Sequence, residues 1–219
     1  MTHRPLLLAH RGARTDSIPE NSLPAFDRAL EQGCDGFECD VRLTRCGCAV
    51  VCHNARVDGI AVSHAMRAQL PRLPCIEEVL RRYRGRGFMD IELKAPGLES
   101  CVLDALRKYP PERGCVLSSF LPQVALEIKA RTGIVPVGII CSRASQLMNW
   151  RALPVDYVIV HQNLMTRRLA EIVHGAGRRI FAWGVTSHTT ALRLSGWEVD
   201  AIIADNPQML MESFAAKLV

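Results

Sequence analysis

No run of eighteen apolar residues occurs anywhere in the chain, so no membrane-spanning helix is expected. A secretion signal is absent too: the apolar run Leu6–Ala9 is too short, and Arg11 and Arg14 follow it closely. These absences predict a cytoplasmic protein with no stable membrane anchor. Charge of one sign is not gathered into a block. The net charge is +5, with Arg and Lys spread along the chain, so nothing points to a nucleic-acid partner, and the mild positive balance suits an anionic phosphate. No disulfide framework is expected from nine cysteines, an odd number in a chain without a leader, and reduced thiols are the simplest reading. Cys46, Cys48 and Cys52 lie close together, but no second cysteine pair or spaced histidine pair completes a zinc ligand set. Linkers, low-complexity segments and strong internal repeats are missing as well. At 219 residues the chain has enough length for one sizeable core, and residues 1–219 read as one domain.

What is present is alternation. Short β-rich apolar runs take turns with amphipathic helical runs from end to end. Strands are predicted at Pro5–His10, Gly36–Thr44 (with an extra extended run, Ala49–His53), Gly87–Lys94, Val116–Phe120, Val135–Cys141, Tyr157–Val160, Arg179–Val185 and Ala201–Ala204. Between them lie helices at Ser22–Gln32 and Ile76–Tyr83, and along the stripes Leu98/Cys101/Val102/Ala105 and Leu121/Val124/Ala125/Ile128. A weaker helix falls near Arg143–Leu153, and further ones follow over Leu169–Ala176, around Thr190–Leu194, and from Gln208 to the end. Gly133 and Gly177 supply stop signals. Eight βα units favour a parallel sheet covered on both faces and closed into a (β/α)₈ TIM barrel. A doubly wound open sheet is the alternative, but no Gly-rich dinucleotide fingerprint follows the first strand.

The chemistry is carried by residues that break the apolar strand pattern. Glu38 and Asp40 stand two apart in "GFECDVRLT", and Glu92 and Lys94 two apart in "FMDIELK", so each pair points to one side of its strand. Three acids converging in a barrel mouth repel one another unless a cation neutralises them, and carboxylate oxygens suit Mg²⁺ or Ca²⁺. The bland alternative is a structural ion pair, for example Glu92 with Arg42. His10 and His53 each end an extended run, which in a barrel places them at the carboxyl rim; two imidazoles can divide acid and base work. Arg11 offers a guanidinium for phosphate and Lys94 a second cation. Gly12 allows a sharp turn out of the strand, and Asn21 or Ser22 caps the first helix. Trp183, ending strand seven, is either a pocket wall or a core residue. His3, His64, His174 and His188 read as structural, and His161 is undecided.

These segments resemble the glycerophosphodiester phosphodiesterase family. "LLLAHRGA", "PENSLPAFDRALEQGCDGFECDVRLT", "AVVCHN" and "FMDIELK" occur in the family's order, with weaker echoes at "VLSSF", "RRIFAWGV" and "VDAIIADNP". The resemblance implies a (β/α)₈ barrel and a divalent cation, Mg²⁺ or Ca²⁺, held by Glu38, Asp40 and Glu92. It also implies His10 and His53 as the acid–base pair, and Arg11 and Lys94 as phosphate contacts. The implied reaction is hydrolysis of a small glycerophosphodiester to glycerol 3-phosphate and an alcohol. There are departures. Asn54 stands where the family usually has Asp, Cys46-Gly47 replaces a common Asp-Gly turn, and the stretch after His53 is compressed, with no inserted domain. A lipid-directed phosphodiesterase of lysophospholipase D type would use the same residues with an apolar groove for an acyl chain. A catalytically weak barrel that only binds phosphodiesters would be favoured by Asn54.

Overall fold

The computed structural model describes residues 4–215. His3 and the last four residues of the predicted final helix lie outside that range.

Apolar runs of four to eight residues bounded by turn signals form strands, and the stripes between them form helices. In chain order these are β1 (Leu6–His10), α1 (Leu23–Glu31), β2 (Gly36–Leu43), β3 (Ala49–Val51), β4 (Arg56–Val57), β5 (Ile60–Ala61), α2 (Ile76–Tyr83), β6 (Phe88–Leu93), α3 (Glu99–Lys108), β7 (Cys115–Ser119), α4 (Pro122–Arg131), β8 (Val137–Cys141), α5 (Ala144–Leu147), β9 (Tyr157–His161), α6 (Arg167–Gly175), β10 (Arg179–Val185), α7 (His188–Ser195), β11 (Ala201–Ala204) and α8 (Pro207–Ala215). Four short 3₁₀ turns join them.

β1 pairs in parallel with β11 on one side and with β2 on the other. Between those neighbours the order β11, β10, β9, β8, β7, β6, β2 is unbroken, so the sheet closes on itself. The fold is a single-domain (β/α)₈ barrel with no inserted domain. Closure, rather than an open sheet, is what the β1–β2 pairing adds to the strand count. Alternate strand residues face opposite sides. Leu8, Phe88, Val116, Ile140, Ile159, Phe181 and Ile203 fill the lumen. Their neighbours, such as Leu7, Ile91, Leu117, Val158 and Ile202, pack under the helices.

Local differences from expectation have physical causes. Ser22, not Asn21, caps α1: its side chain accepts from the Ala25 amide, because Asn21 sits at φ 55 and spends its side chain elsewhere. The predicted helix over Arg143–Leu153 breaks into α5 and a 3₁₀ turn, Trp150–Ala152, since this stretch has no continuous apolar stripe and leaves Met148 82% exposed. Gly12 does turn the chain, at φ +79, where an added Cβ would stand 2.7 Å from the Ala25 carbonyl carbon.

β3 is the one antiparallel strand of this sheet, folded back on β2 with Val41 opposite Val51. It is shorter than the predicted run to His53. From it the chain makes an excursion, residues 52–75, carrying the small hairpin β4–β5. A separate small core of Val50, Cys52, Val62, Ala65 and Leu70 holds the excursion together. The outer side of β3 meets the end of the excursion: the Val51 amide donates to the Pro74 carbonyl at 2.8 Å, and Val50 pairs with Cys75.

Candidate active site

The strand register builds the site. His10, Glu38 and Asp90 are neighbours across β1, β2 and β6, and Asp40, Glu92 and Ser118 form the next row across β2, β6 and β7. One carboxylate oxygen from each of Glu38, Asp40 and Glu92 lies within 4.8 Å of the others, and all three side chains are buried. This gathering occurs at the carboxyl end of the barrel, above the apolar plug.

A web of partners fixes each group. Asp40 is fully buried; its Oδ2 accepts from Asn21 Nδ2 at 2.8 Å, its Oδ2 lies 3.1 Å from Arg11 Nε, and its Oδ1 lies 3.1 Å from Lys94 Nζ. Lys94 Nζ also contacts Glu92 Oε1 at 2.7 Å. The structural pairing of Glu92 with Arg42 does not form. Arg42 Nε instead donates to the His53 carbonyl at 2.8 Å, which helps hold the chain leaving β3. Arg11, at φ 58, donates its amide to Glu38 Oε2 and Nη1 to Glu20 Oε1 at 2.9 Å.

The electrostatics follow from that web. Burial raises Asp40, but Lys94, Arg11 and the Asn21 hydrogen bond outweigh it and leave this carboxyl below its usual range. Burial pushes Glu38 well above the carboxylate range, and the neighbouring charges of Asp40, Glu92 and Asp90 push the same way. Glu92 is raised by burial despite Lys94. Asp90, buried below them, is pushed up to about 7 by burial, although Ser118 Oγ donates to it at 2.5 Å.

This donor set fits a hard divalent cation. Ligand oxygens about 2.0–2.6 Å from one ion stand within roughly 5 Å of one another, as these do. Glu38 Oε1 is buried and has no hydrogen-bond partner, and a cation would relieve the mutual repulsion that raises Glu38.

The two imidazoles flank the acids. Asp205 Oδ1 accepts from His10 Nδ1 at 2.5 Å, and Nε2 then faces Glu38 Oε2 at 3.8 Å. The hydrogen bond from His10 is the main reason the Asp205 carboxyl lies below its usual range. Asn54 Oδ1 accepts from His53 Nδ1 at 3.1 Å, so the amide keeps the acceptor that an Asp would offer while losing its charge. Burial lowers the His53 pKa, outweighing the nearby Asp40.

A cavity of about 150 Å³ opens between these groups. His10, Arg11, Glu38, His53, Glu92 and Lys94 line its polar side; Phe120, Ile140, Ile159, Trp183 and Ile203 line the apolar side. Trp183 is therefore a wall residue, edge-on to Phe120 at 6.0 Å, and its buried Nε1 has no hydrogen-bond partner. His161 stacks edge-on behind Trp183 at 4.6 Å. That ring sits where a Cβ at Gly184 would reach, 2.7 Å from His161 Nε2. His64, His174 and His188 are absent from the cavity lining; His174 and His188 bond to Asp200 and Ser213. Glu20, Asn21, Asp90, Phe120 and Asp205 join the site without having been singled out for it in the sequence. For three of them a signal existed. Asp90, Phe120 and Asp205 each lie two residues from an inward-facing strand residue: Glu92, Ser118 and Ile203.

A closed parallel barrel with acids, imidazoles and cations at its carboxyl mouth is the architecture of a TIM-barrel enzyme. Residues 10–84 match the model of the glycerophosphoryl diester phosphodiesterase family. A glycerophosphodiester phosphodiesterase of Caldanaerobacter subterraneus is 28% identical over 94% of this chain and 96% of its own length. Among solved structures, a glycerophosphodiester phosphodiesterase from Parabacteroides distasonis superimposes with a TM-score of 0.88 at 19% identity, covering 99% of both chains. An Oleispira antarctica phosphodiesterase in complex with its product sn-glycerol-3-phosphate superimposes with a TM-score of 0.85 at 22% identity, over 96% of this chain and 97% of that one. Over residues 10–84 the chain is thus similar to the glycerophosphoryl diester phosphodiesterase family, and over nearly its whole length to a curated glycerophosphodiester phosphodiesterase.

Proposed function

We propose that the chain hydrolyses glycerophosphodiesters to glycerol 3-phosphate and an alcohol, with a divalent cation, Mg²⁺ or Ca²⁺, and with His10 and His53 as general acid and base. The observation that carries this reading is the convergence of Glu38, Asp40 and Glu92 oxygens within 4.8 Å, beside a cavity that Glu38, Glu92 and both imidazoles line. Residues 1–219 would form one catalytic unit acting in the cytoplasm; among the described residues no helix is long and apolar enough to cross a membrane.

Glu38, Asp40 and Glu92 would hold the ion, which when bound polarises phosphoryl oxygens and offsets developing negative charge. Arg11 and Lys94 line the same cavity and attract the phosphate's charge. Asp205 and Asn54 each occupy a histidine Nδ1, leaving Nε2 of both rings for proton transfer. One Nε2 takes a proton from the attacking water as the new oxygen–phosphorus bond forms. The other Nε2 gives a proton to the departing alkoxide as its phosphorus–oxygen bond breaks. Asp205 is anionic and Asn54 neutral, so the protonated ring is better supported at His10, and the leaving-group role is assigned there.

The polar side of the cavity, with His10, Arg11, His53 and Lys94, suits the charged phosphate of a glycerol phosphate. The test is hydrolysis of glycerophosphocholine and glycerophosphoethanolamine with Mg²⁺, Ca²⁺, Mn²⁺ or chelator. Chelation is expected to abolish activity, and His10→Ala to lower kcat at least about a hundredfold. Full activity in chelator would refute the cation, and full activity in His10→Ala the acid–base assignment.

A further inference from the structure

We propose that Cys48 and Cys75 are a disulfide-forming pair that cross-links the excursion to β3 when the protein meets a small-molecule disulfide. All nine cysteines are free thiols in the structure. The fold nevertheless brings Cys48 Sγ and Cys75 Sγ to 3.3 Å, although they are far apart in sequence and outside the catalytic cavity. Both residues are half-buried, so a small reagent can reach them.

The surroundings hold the two sulfurs together. Arg67 Nε donates to Cys75 Sγ at 3.0 Å, and Arg67 Nη2 donates to the Leu73 carbonyl at 2.8 Å, so the guanidinium is tied to the segment that carries Cys75. The Cys48 amide donates to Thr44 Oγ1 at 2.9 Å, which fixes the turn carrying Cys48. The backbones already touch through the Val50–Cys75 bridge. Cys46 is placed differently: it is exposed, and its sulfur accepts from the Arg67 amide at 3.3 Å.

Written for Cys75 attacking first, its thiolate displaces one half of the reagent disulfide as a thiolate, giving a mixed disulfide. The Cys48 thiolate then attacks the Cys75 sulfur, forming Sγ–Sγ and expelling the second half. Two protein thiols are oxidised, one reagent disulfide is reduced to two thiols, and the two protein protons pass to the leaving thiolates. The bridge closes residues 49–74 into a loop. Beyond β3, the small core of that segment comprises Cys52, Val62, Ala65 and Leu70, so a covalent staple restrains it more than it would a large core.

The full chain is incubated with oxidised glutathione, alkylated and digested without reductant. Before alkylation the expected product is lighter than the reduced protein by about 2 Da, and after digestion it yields tryptic peptide 46–56 joined to 73–81, with fragmentation placing the link at Cys48. Native trypsin cleavage after Arg56, Arg67 and Arg72 slows at least about tenfold and recovers on reduction. Cys48→Ser and Cys75→Ser each abolish the cross-link, whereas Cys52→Ser keeps it. A Cys46–Cys48 bridge, a lasting glutathione adduct on Cys75, or no change in mass or cleavage would overturn the proposal. Mapping on the unaltered chain decides the matter even where a variant folds poorly.

Discussion

At the scale of single residues, the site depends on what each ring nitrogen is bonded to. Asp205→Asn can present an amide N–H to His10 Nδ1, reversing the hydrogen bond, which leaves the proton of a neutral ring on Nε2 and disfavours the doubly protonated ring that the leaving-group role needs. We expect kcat to fall about 10- to 100-fold with KM changed little; unchanged kinetics would remove Asp205 from the proton path. Asn54→Asp adds a negative charge 3.1 Å from His53 Nδ1, where burial now holds the pKa down. An anion favours the protonated ring, so the limb of the kcat/KM–pH profile belonging to His53 should move to higher pH. A profile that keeps both limbs in place would show that His53 does not titrate in catalysis. Much of this constellation was legible: two-residue spacing marked Glu38, Asp40, Glu92 and Lys94 as facing one way, and they do converge. The spacing from Ile203 marks Asp205 as facing the mouth, but its pairing with His10 was not legible, because the two are 195 residues apart in the chain and meet only on barrel closure. The sequence position of Asn21 suggests a local capping role, whereas its left-handed backbone turns its amide onto Asp40.

At the scale of elements, helix periodicity was read well where a full apolar stripe exists and poorly where it is interrupted, as α5 shows. Charged tethers between helices were invisible, because they join separate faces. Asp27 on α1 accepts from Arg82 at 2.5 Å and Arg86 at 2.6 Å. Burial raises its pKa, but these hydrogen bonds outweigh it and set the folded value below 3.8. The stabilisation is therefore complete above the unfolded pKa and is lost as pH falls through the lowered folded one. Asp27→Asn should cost about 0.5–1 kcal/mol near neutral pH, after allowing for the half-exposed arginines. In thermal melts the gap to the parent should close below pH 3.8; a gap independent of pH would mean that the loss is one of packing. Ser22→Ala, which removes the α1 cap, should cost about 1 kcal/mol in chemical denaturation at every pH. No measurable loss would show the cap to be dispensable.

For the molecule as a whole, eight repeated βα units predicted the barrel, and the register that closes it turns acids from separate strands into one cluster. Glu38 is the acid that burial and its neighbours raise most plainly, so a cation bound there should stabilise the folded chain by mass action. At about a hundredfold excess over Kd, Mg²⁺, Ca²⁺ or Mn²⁺ should raise Tm by roughly 5–10 °C. Glu38→Gln should lose most of that response; an identical rise in the variant would place the ion elsewhere. The antiparallel β3 has a different consequence. A closed barrel offers no open rim for another chain to pair with, and β3 reintroduces one. Its outer backbone meets Pro74 and Cys75, and proline is a residue that cannot extend a ladder. Wherever proteolysis or heat frees residues 52–75, the unmasked strand becomes a template for β-pairing between molecules, so self-association in this protein should begin at β3 and not at the barrel wall.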